Sequence, residues 1–140
     1  MDAANLSGKI ALVTGGAAGI GRAIAEAFAI HGAKIIIADK NKERCDAVQS
    51  DFEKKGYDAL VTHTDVTDTA QVQTMISAVD ARFGQLNILV NNVGDFLELI
   101  KPFKDFADDE IDALFNANLN SMFKVTRGAI PLLEKGGAGG

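Results

Sequence analysis

Short apolar runs alternate with helical patterns along most of this chain. The apolar runs occupy residues 9–14, 34–39, 58–63 and 86–91; helical patterns occupy 20–30, 41–55 and 68–83, and two further helices within 107–134 are expected to break near Asn118. Strands that alternate with helices of about 10–15 residues are typical of βαβ units with parallel strands. Right-handed crossovers then place helices on both faces of the sheet. The sequence therefore predicts an α/β fold, a doubly wound parallel sheet with strand order 3-2-1-4.

The length of the chain and its last residues bear on domain organisation. A chain of 140 residues suits one domain, and we expect that domain to span residues 1–135. Residues 136–140 are four glycines and one alanine, so this tail has almost no side chain with which to pack and is expected to be disordered. The predicted sheet is truncated after its fourth strand and the helices that follow it.

Charge and cysteine content exclude several classes of partner. The net charge is −5, with an acidic cluster at Asp105, Asp108, Asp109, Glu110 and Asp112, whereas nucleic-acid binding needs a basic face. No apolar run approaches the length of about 18 residues that a membrane span requires. The first residues lack the basic start and apolar run of a signal peptide. Cys45, the only cysteine, lies on a charged predicted helix and is expected at its surface rather than as a nucleophile. We therefore expect a cytoplasmic protein without nucleic-acid or membrane partners.

A glycine-rich turn lies between the first predicted strand and the first predicted helix. A helix N-terminus presents free N–H groups and the positive end of a dipole, so it attracts phosphate. Gly15 lets the chain turn off the strand, Gly19 leaves room for a pyrophosphate, and Gly21 lets the helix lie close to the sheet. The turn predicts a Rossmann-like dinucleotide site at Gly15, Ala17, Ala18, Gly19, Ile20 and Gly21.

For the glycines alone, the alternative is a tight turn that binds no ligand. No Lys-Ser or Lys-Thr pair closes the motif, which excludes a triphosphate-binding loop. Asp39 ends the second predicted strand 18 residues after Gly21 (39 − 21 = 18), where an acidic residue can bind the adenosine ribose hydroxyls. A carboxylate there repels a 2′-phosphate, so NAD is favoured over NADP, although the neighbouring Lys40 could tolerate a phosphate. The alternative for Asp39 is a cap at the strand end.

At this point the chain resembles the classical short-chain dehydrogenase/reductase family over residues 9–133. The glycine motif of that family also has three residues between its first two glycines, as between Gly15 and Gly19. Three later segments look like family motifs: Asp65-Val66, Asn91-Asn92-Val93-Gly94 and the asparagine-rich residues 115–120. Val93 stands where the family usually has alanine, which adds bulk on the nicotinamide side.

The resemblance implies NAD(H)-linked oxidoreduction of an alcohol or carbonyl substrate. It places Asp65 and Val66 at adenine, and Asn91, Asn92 and Gly94 at the ribose and nicotinamide side. It also makes Asn118 the catalytic asparagine, which would hold a proton-relay water. The catalytic serine and Tyr-x-x-x-Lys of the family are missing: Tyr57 is the only tyrosine, and Val61 rather than lysine follows four residues later.

Three functional hypotheses follow from these observations. The first is a family enzyme represented by its N-terminal part, and the second is a dinucleotide-binding module or truncated product without catalytic activity. The third is a methyltransferase, which also uses a glycine turn and an acidic residue after the second strand; the glycine spacing and the Asn-Asn-x-Gly segment speak against it. His31 and His63 have no third ligand at metal spacing, so no metal site is expected.

The fourth predicted strand raises the question of self-association. Residues 87–90 are mostly apolar, and no fifth strand follows in the sequence to pair with them. An exposed apolar edge strand is a template for pairing with a second chain. We therefore expect the 140-residue chain to self-associate through this edge.

Overall fold

A computed structural model describes residues 5–137 of the chain. It contains one parallel sheet of four strands: β1 (Ile10–Thr14), β2 (Lys34–Asp39), β3 (Ala59–His63) and β4 (Ile88–Val90). The order across the sheet is β3-β2-β1-β4, with Leu12 in register with Ile36 and Leu89. The predicted Rossmann-like α/β fold and the predicted strand order are both confirmed.

Five α-helices connect or follow these strands. They are α1 (Gly19–Ile30), α2 (Lys42–Lys54), α3 (Thr69–Phe83), α4 (Asp108–Phe115) and α5 (Ser121–Lys135). A 3-10 turn (Phe103–Asp105) precedes α4, and a π-helical segment (Asn116–Asn120) joins α4 to α5. The expected interruption near Asn118 is confirmed, because two α-helices meet there, although the chain between them stays helical and widens into π turns. None of these helices is both long and apolar enough to cross a membrane.

The two faces of the sheet are covered by different helices, because alternate strand residues point to opposite sides. Ile35 and Ile37 of β2 pack in the core cluster that contains Val48 and Phe52 of α2. Ile36 lies in the opposite cluster, with Met75 of α3 and residues of α5. Burial on both faces explains why β1 and β2 read as continuous apolar runs rather than alternating ones.

Helix ends follow the polar and glycine residues that the sequence predicted for them. The Asn41 side chain accepts from the N–H of Arg44 at 2.9 Å, and Asp68 accepts from the N–H groups of Ala70 and Gln71. Gly84 ends α3 with a φ of +70°, which a residue with a Cβ adopts at a cost. The N-caps Asn41 and Asp68 lie at the carboxyl edge of the sheet, where α2 and α3 begin, whereas Gly84 ends α3 at the opposite edge.

The structure corrects three details of the sequence interpretation. β4 has only three residues rather than the six of 86–91, since Asn87 is used otherwise: its side chain accepts from the N–H of Ile10 and donates to the carbonyl of Gly136. Gly136 therefore makes defined contacts, unlike the disorder expected for it, while residues 138–140 lie outside the described residues. Cys45 is buried in the core cluster that contains Val48 and Phe52, not on the surface of its charged helix.

Candidate functional site

A cleft of about 670 Å³ opens at the carboxyl ends of the four strands. In a doubly wound sheet this edge, where the crossovers change direction between β1 and β4, is where ligands bind. The cleft brings together seven of the predicted site residues: Gly15, Ala18, Asp39, Asp65, Val66, Asn92 and Gly94. Four elements distant in sequence thus contribute to one cavity.

The glycine loop leaves the first turn of α1 without a side-chain cap. Ala18 occupies the N-cap position, and no side chain there accepts a hydrogen bond from the helix. The backbone is left-handed at Gly15 and Gly19, with φ of +63° and +55°, and a Cβ at Gly19 would meet only open space. The N–H groups of this helix end can therefore receive an anion. Ile20 is exposed and projects away from the core.

Gly21 lies where the helix touches the end of β1. A Cβ at this position would come within 2.2 Å of the Gly15 carbonyl oxygen and 2.5 Å of Asn92 Nδ2, so only glycine fits. Asn92 Nδ2 donates to the carbonyls of Thr14 and Gly15 at 3.1 and 3.2 Å. Asn92 is thus the link between the glycine loop and the loop after β4.

Asp39 holds the glycine loop as well as facing the cleft. Its Oδ2 accepts from the N–H of Ala17 at 3.2 Å, and its Oδ1 accepts from the N–H of Asn41 at 3.0 Å. The residue is 9% exposed. A carboxylate has about four acceptor positions, so two remain after these bonds. Asp39 therefore caps backbone N–H groups, as the simpler alternative proposed, and keeps acceptor positions at the cleft; its predicted role at the ribose stays a prediction.

Asp65 and Val66 form the wall of the cleft after β3. Asp65 Oδ1 accepts from both the N–H and the hydroxyl of Thr67, at 2.9 and 2.7 Å, and the N–H of Asp65 donates to Gln71. Val66 is 5% exposed and packs in the core cluster that contains Ile36 and Met75. The Asp65 carboxylate therefore shapes this turn, which presents the wall that the resemblance assigned to adenine.

The predicted residues on the β4 side are bonded mainly to the protein itself. Asn91 Nδ2 donates to the Thr126 hydroxyl at 3.0 Å. Asn118, inside the π-helical segment, donates to the carbonyls of Asp95 and Leu114 at 2.6 and 2.9 Å and accepts from the N–H of Asp95 at 2.8 Å. Asn118 therefore fixes the backbone at Asp95, and its predicted catalytic role stays a prediction.

Four charged residues that the sequence interpretation did not assign to the site also line the cleft: Lys40, Arg44, Asp95 and Glu98. Asp95 pairs with Lys40 at 2.6 Å, and Arg44 of α2 lies on the same side as Lys40. The hydrogen bond from Lys40 is the main cause that lowers the pKa of the Asp95 carboxyl, and the same bond raises the pKa of Lys40. Asp95 directly follows the Asn-Asn-Val-Gly motif, and this position was the sequence signal that could have indicated its place in the cleft.

Metal-ligating residues do not gather in the part of the chain that the structure describes: no three of His, Cys, Asp and Glu are placed to hold an ion. His63 at the end of β3 instead has its Nε2 2.9 Å from the Lys40 carbonyl oxygen. Tyr57 stacks edge-to-face on Phe52, with ring centroids 5.3 Å apart, and so serves packing.

Comparisons with known proteins agree with this architecture. A tropinone reductase homologue of Arabidopsis thaliana is 37% identical over 136 residues, 96% of this chain and 51% of the relative. A 2,5-dichloro-2,5-cyclohexadiene-1,4-diol dehydrogenase of Sphingobium indicum is 38% identical, with 96% and 53% covered. The solved 7α-hydroxysteroid dehydrogenase complexed with NADH and 7-oxo glycochenodeoxycholic acid superposes with a TM-score of 0.87 at 31% identity, covering 96% of this chain and 52% of that one.

A family profile described as short chain dehydrogenase matches residues 9–140. The chain therefore belongs to the short chain dehydrogenase family, as the sequence resemblance implied. It spans about half the length of the relatives it matches.

Proposed function

We propose that this short chain dehydrogenase binds NAD(H) in the cleft at the carboxyl edge of its sheet, and that the whole protein oxidises an alcohol or reduces a carbonyl compound. The observation that carries the proposal is the pairing of an uncapped helix N-terminus with a carboxylate in one cleft. The N–H groups of α1 suit a pyrophosphate, and Asp39 has acceptor positions left for ribose hydroxyls.

The residues present fit a dinucleotide on steric grounds as well. The open space at Gly19 is what a phosphate needs to approach the backbone, and the close contact at Gly21 keeps α1 against β1. A bound nicotinamide would supply the hydride acceptor or donor. Gly15, Gly19 and Gly21 would position the pyrophosphate, Asp39 the adenosine ribose, and Asn92 and Gly94 the nicotinamide side.

The resemblance assigns the proton transfer to a tyrosine whose pKa a lysine lowers, and the 140 residues contain no such pair. Tyr57 packs against Phe52, and Val61 stands four residues later. The second candidate is a dinucleotide-binding module without chemistry, for which the uncapped helix end and the Asp39 carboxylate would serve equally well. Both candidates place the same cofactor in the same cleft, so cofactor binding is tested first.

The test is calorimetric titration of the chain with NAD and with NADP. We expect NAD to bind more tightly, because the Asp39 carboxylate repels a 2′-phosphate. Asp39→Asn removes the charge and keeps one oxygen acceptor for the N–H of Ala17 or Asn41. The ratio of the Kd for NADP to the Kd for NAD should therefore fall about tenfold, or about 1.4 kcal/mol in binding free energy. Asp39→Ala also removes the bond to Ala17 and should weaken both cofactors.

Equal affinities of the unaltered chain for NAD and NADP would contradict the assignment of Asp39. Binding of neither cofactor would contradict the proposed function. Asp58→Asn is the matched control, because Asp58 pairs with Lys34 and Arg82 on the surface and does not line the cleft. It should leave both affinities unchanged.

A further inference from the structure

The cleft has an uneven charge distribution. Of the described residues that line it, Asp39, Asp65, Asp95 and Glu98 are acidic and only Lys40 and Arg44 are basic. A cofactor with an additional phosphate on its adenosine ribose brings about two more negative charges into this acidic surrounding. It therefore needs a cation close to the ribose, and Lys40 is adjacent in sequence to Asp39.

Lys40 is already engaged across the cleft. Its ammonium group bonds Asp95 Oδ2 at 2.6 Å, although β2 and β4 are not neighbours and β1 lies between them. The ion pair therefore spans the carboxyl end of β1. The Lys40 side chain is 64% exposed and flexible, whereas that of Asp95 is 29% exposed, so Asp95 is the fixed partner of the two.

The position of Asp95 is set by bonds on three sides. Its N–H donates to Asn118 Oδ1 at 2.8 Å, its carbonyl accepts from Asn118 Nδ2 at 2.6 Å, and its Oδ1 accepts from the N–H of Leu97 at 2.8 Å. The second carboxylate oxygen is left to receive Lys40. The π-helical segment that carries Asn118 thus determines where the Lys40 ammonium is held.

We propose that Asp95 is a specificity-determining residue that disfavours 2′-phosphorylated cofactors by holding the Lys40 ammonium away from the ribose. NAD has no 2′-phosphate, so it gains no partner when the Lys40 ammonium is freed, whereas a 2′-phosphorylated cofactor does. The inference rests on the proposed function, since it concerns which dinucleotide the same cleft selects. Asp95, which follows β4, would thus act together with Asp39 at the end of β2 in selecting NAD over NADP.

The test compares Asp95→Asn with the unaltered chain by titration with NAD and NADP. Asparagine keeps the acceptor for the Leu97 N–H and removes only the charge. The Kd for NADP should fall about fivefold, since a freed lysine pairs with the phosphate at a partly exposed site. The Kd for NAD should change less than twofold. Asp80→Asn is the matched control: it removes one charge and the exposed pair with Lys135, and does not line the cleft.

The double variant Lys40→Gln, Asp95→Asn should lose the gain in NADP affinity. If the gain in NADP affinity persisted in this double variant, the role given to Lys40 would be overturned. The same would follow if Arg44→Gln, rather than Lys40→Gln, abolished the gain in the Asp95→Asn chain. Lys40→Gln alone should alter the Kd for NADP less than twofold, because the ammonium is held by Asp95. A fivefold weakening by that variant would overturn the proposal even if Asp95→Asn did not fold. Absence of NAD binding by the unaltered chain would instead refute the proposed function.

Discussion

The two sides of the cleft rest on very different foundations. On the side of β2, every strand residue except Lys34 is buried, and β1 is buried throughout. On the side of β4, the strand has three residues, all only partly buried, and it forms the sheet edge in the described chain. The part of the cleft proposed for phosphate and adenosine therefore rests on buried strands, whereas the β4 part depends on loop hydrogen bonds. Cofactor binding and catalysis can therefore be tested separately in this chain.

The largest expected effect is the contrast between cofactor binding and catalysis. With NAD and a panel of secondary alcohols, the 140-residue chain should reduce no NAD above background, even where titration detects the proposed binding of NAD. The reason is the missing acid–base pair, which alone is worth about 10²–10⁴-fold in rate. Absorbance of NADH at saturating NAD is the measurement. A rate near 1 s⁻¹, within the usual range for enzymes, would show that another group in this chain acts as the base.

Core truncations should separate the two sides in stability. Ile36 is fully buried in the centre of β2, so Ile36→Ala should lower the free energy of unfolding by about 4 kcal/mol. Leu89 occupies the register position of Leu12 on β4 but is only partly buried, so Leu89→Ala should cost about 2 kcal/mol. Urea denaturation measures both. Equal losses would show that the edge strand is as well packed as the centre.

Two glycines of the same loop should respond differently to a methyl group. Gly21→Ala places a Cβ against the Gly15 carbonyl and Asn92, so we expect a loss of about 3 kcal/mol in unfolding free energy. Gly19→Ala meets no neighbour and costs about 1 kcal/mol for its left-handed backbone. Thermal unfolding gives the stability, and titration with NAD should show that Gly19→Ala still weakens binding. A Gly21→Ala chain as stable as Gly19→Ala would contradict the packing described.

Self-association should give the smallest effect and should distinguish the two edges of the sheet. The apolar edge of β4 is expected to pair between chains, whereas β3 ends in Thr62 and His63 and is more polar. Amide hydrogen exchange at rising protein concentration should therefore slow in β4 and stay constant in β3, while light scattering reports the mass. A monomer at all concentrations would contradict the expectation.

The fold could be predicted because its signals are local and repeated. Buried strands such as β2 are runs of branched apolar residues, and the helix ends carry Asn41, Asp68 and Gly84 as caps. Burial of Cys45 was missed because α2 is charged overall, so its apolar residues made a weak pattern. The extent of β4 was missed for a different reason: Asn87, which looks like a strand residue, forms side-chain bonds to distant backbone groups.

The candidate site likewise contains residues that the sequence predicted and contacts that it did not. The turn that contains Gly15, Gly19 and Gly21 and the position of Asp39 at the end of β2 could be predicted from the sequence, since two strands and one helix fix them; their binding roles stay predictions. The pair between Lys40 and Asp95 could not, because the loop after β4 has no periodic pattern and its backbone is held by Asn118, 23 residues later in the chain. Contacts of that kind depend on tertiary structure, and no local pattern in the sequence records them.

The bond from the Ala17 N–H to the Asp39 carboxylate has a consequence for the entropy of association. A ligand that must order a loop on binding loses affinity to the conformational freedom the loop gives up. Here Asp39 and Asn92 already hold the loop from two sides before any ligand arrives. A dinucleotide would therefore meet a rigid phosphate site at its adenosine end, and the ordering cost of binding would fall mainly on the nicotinamide end.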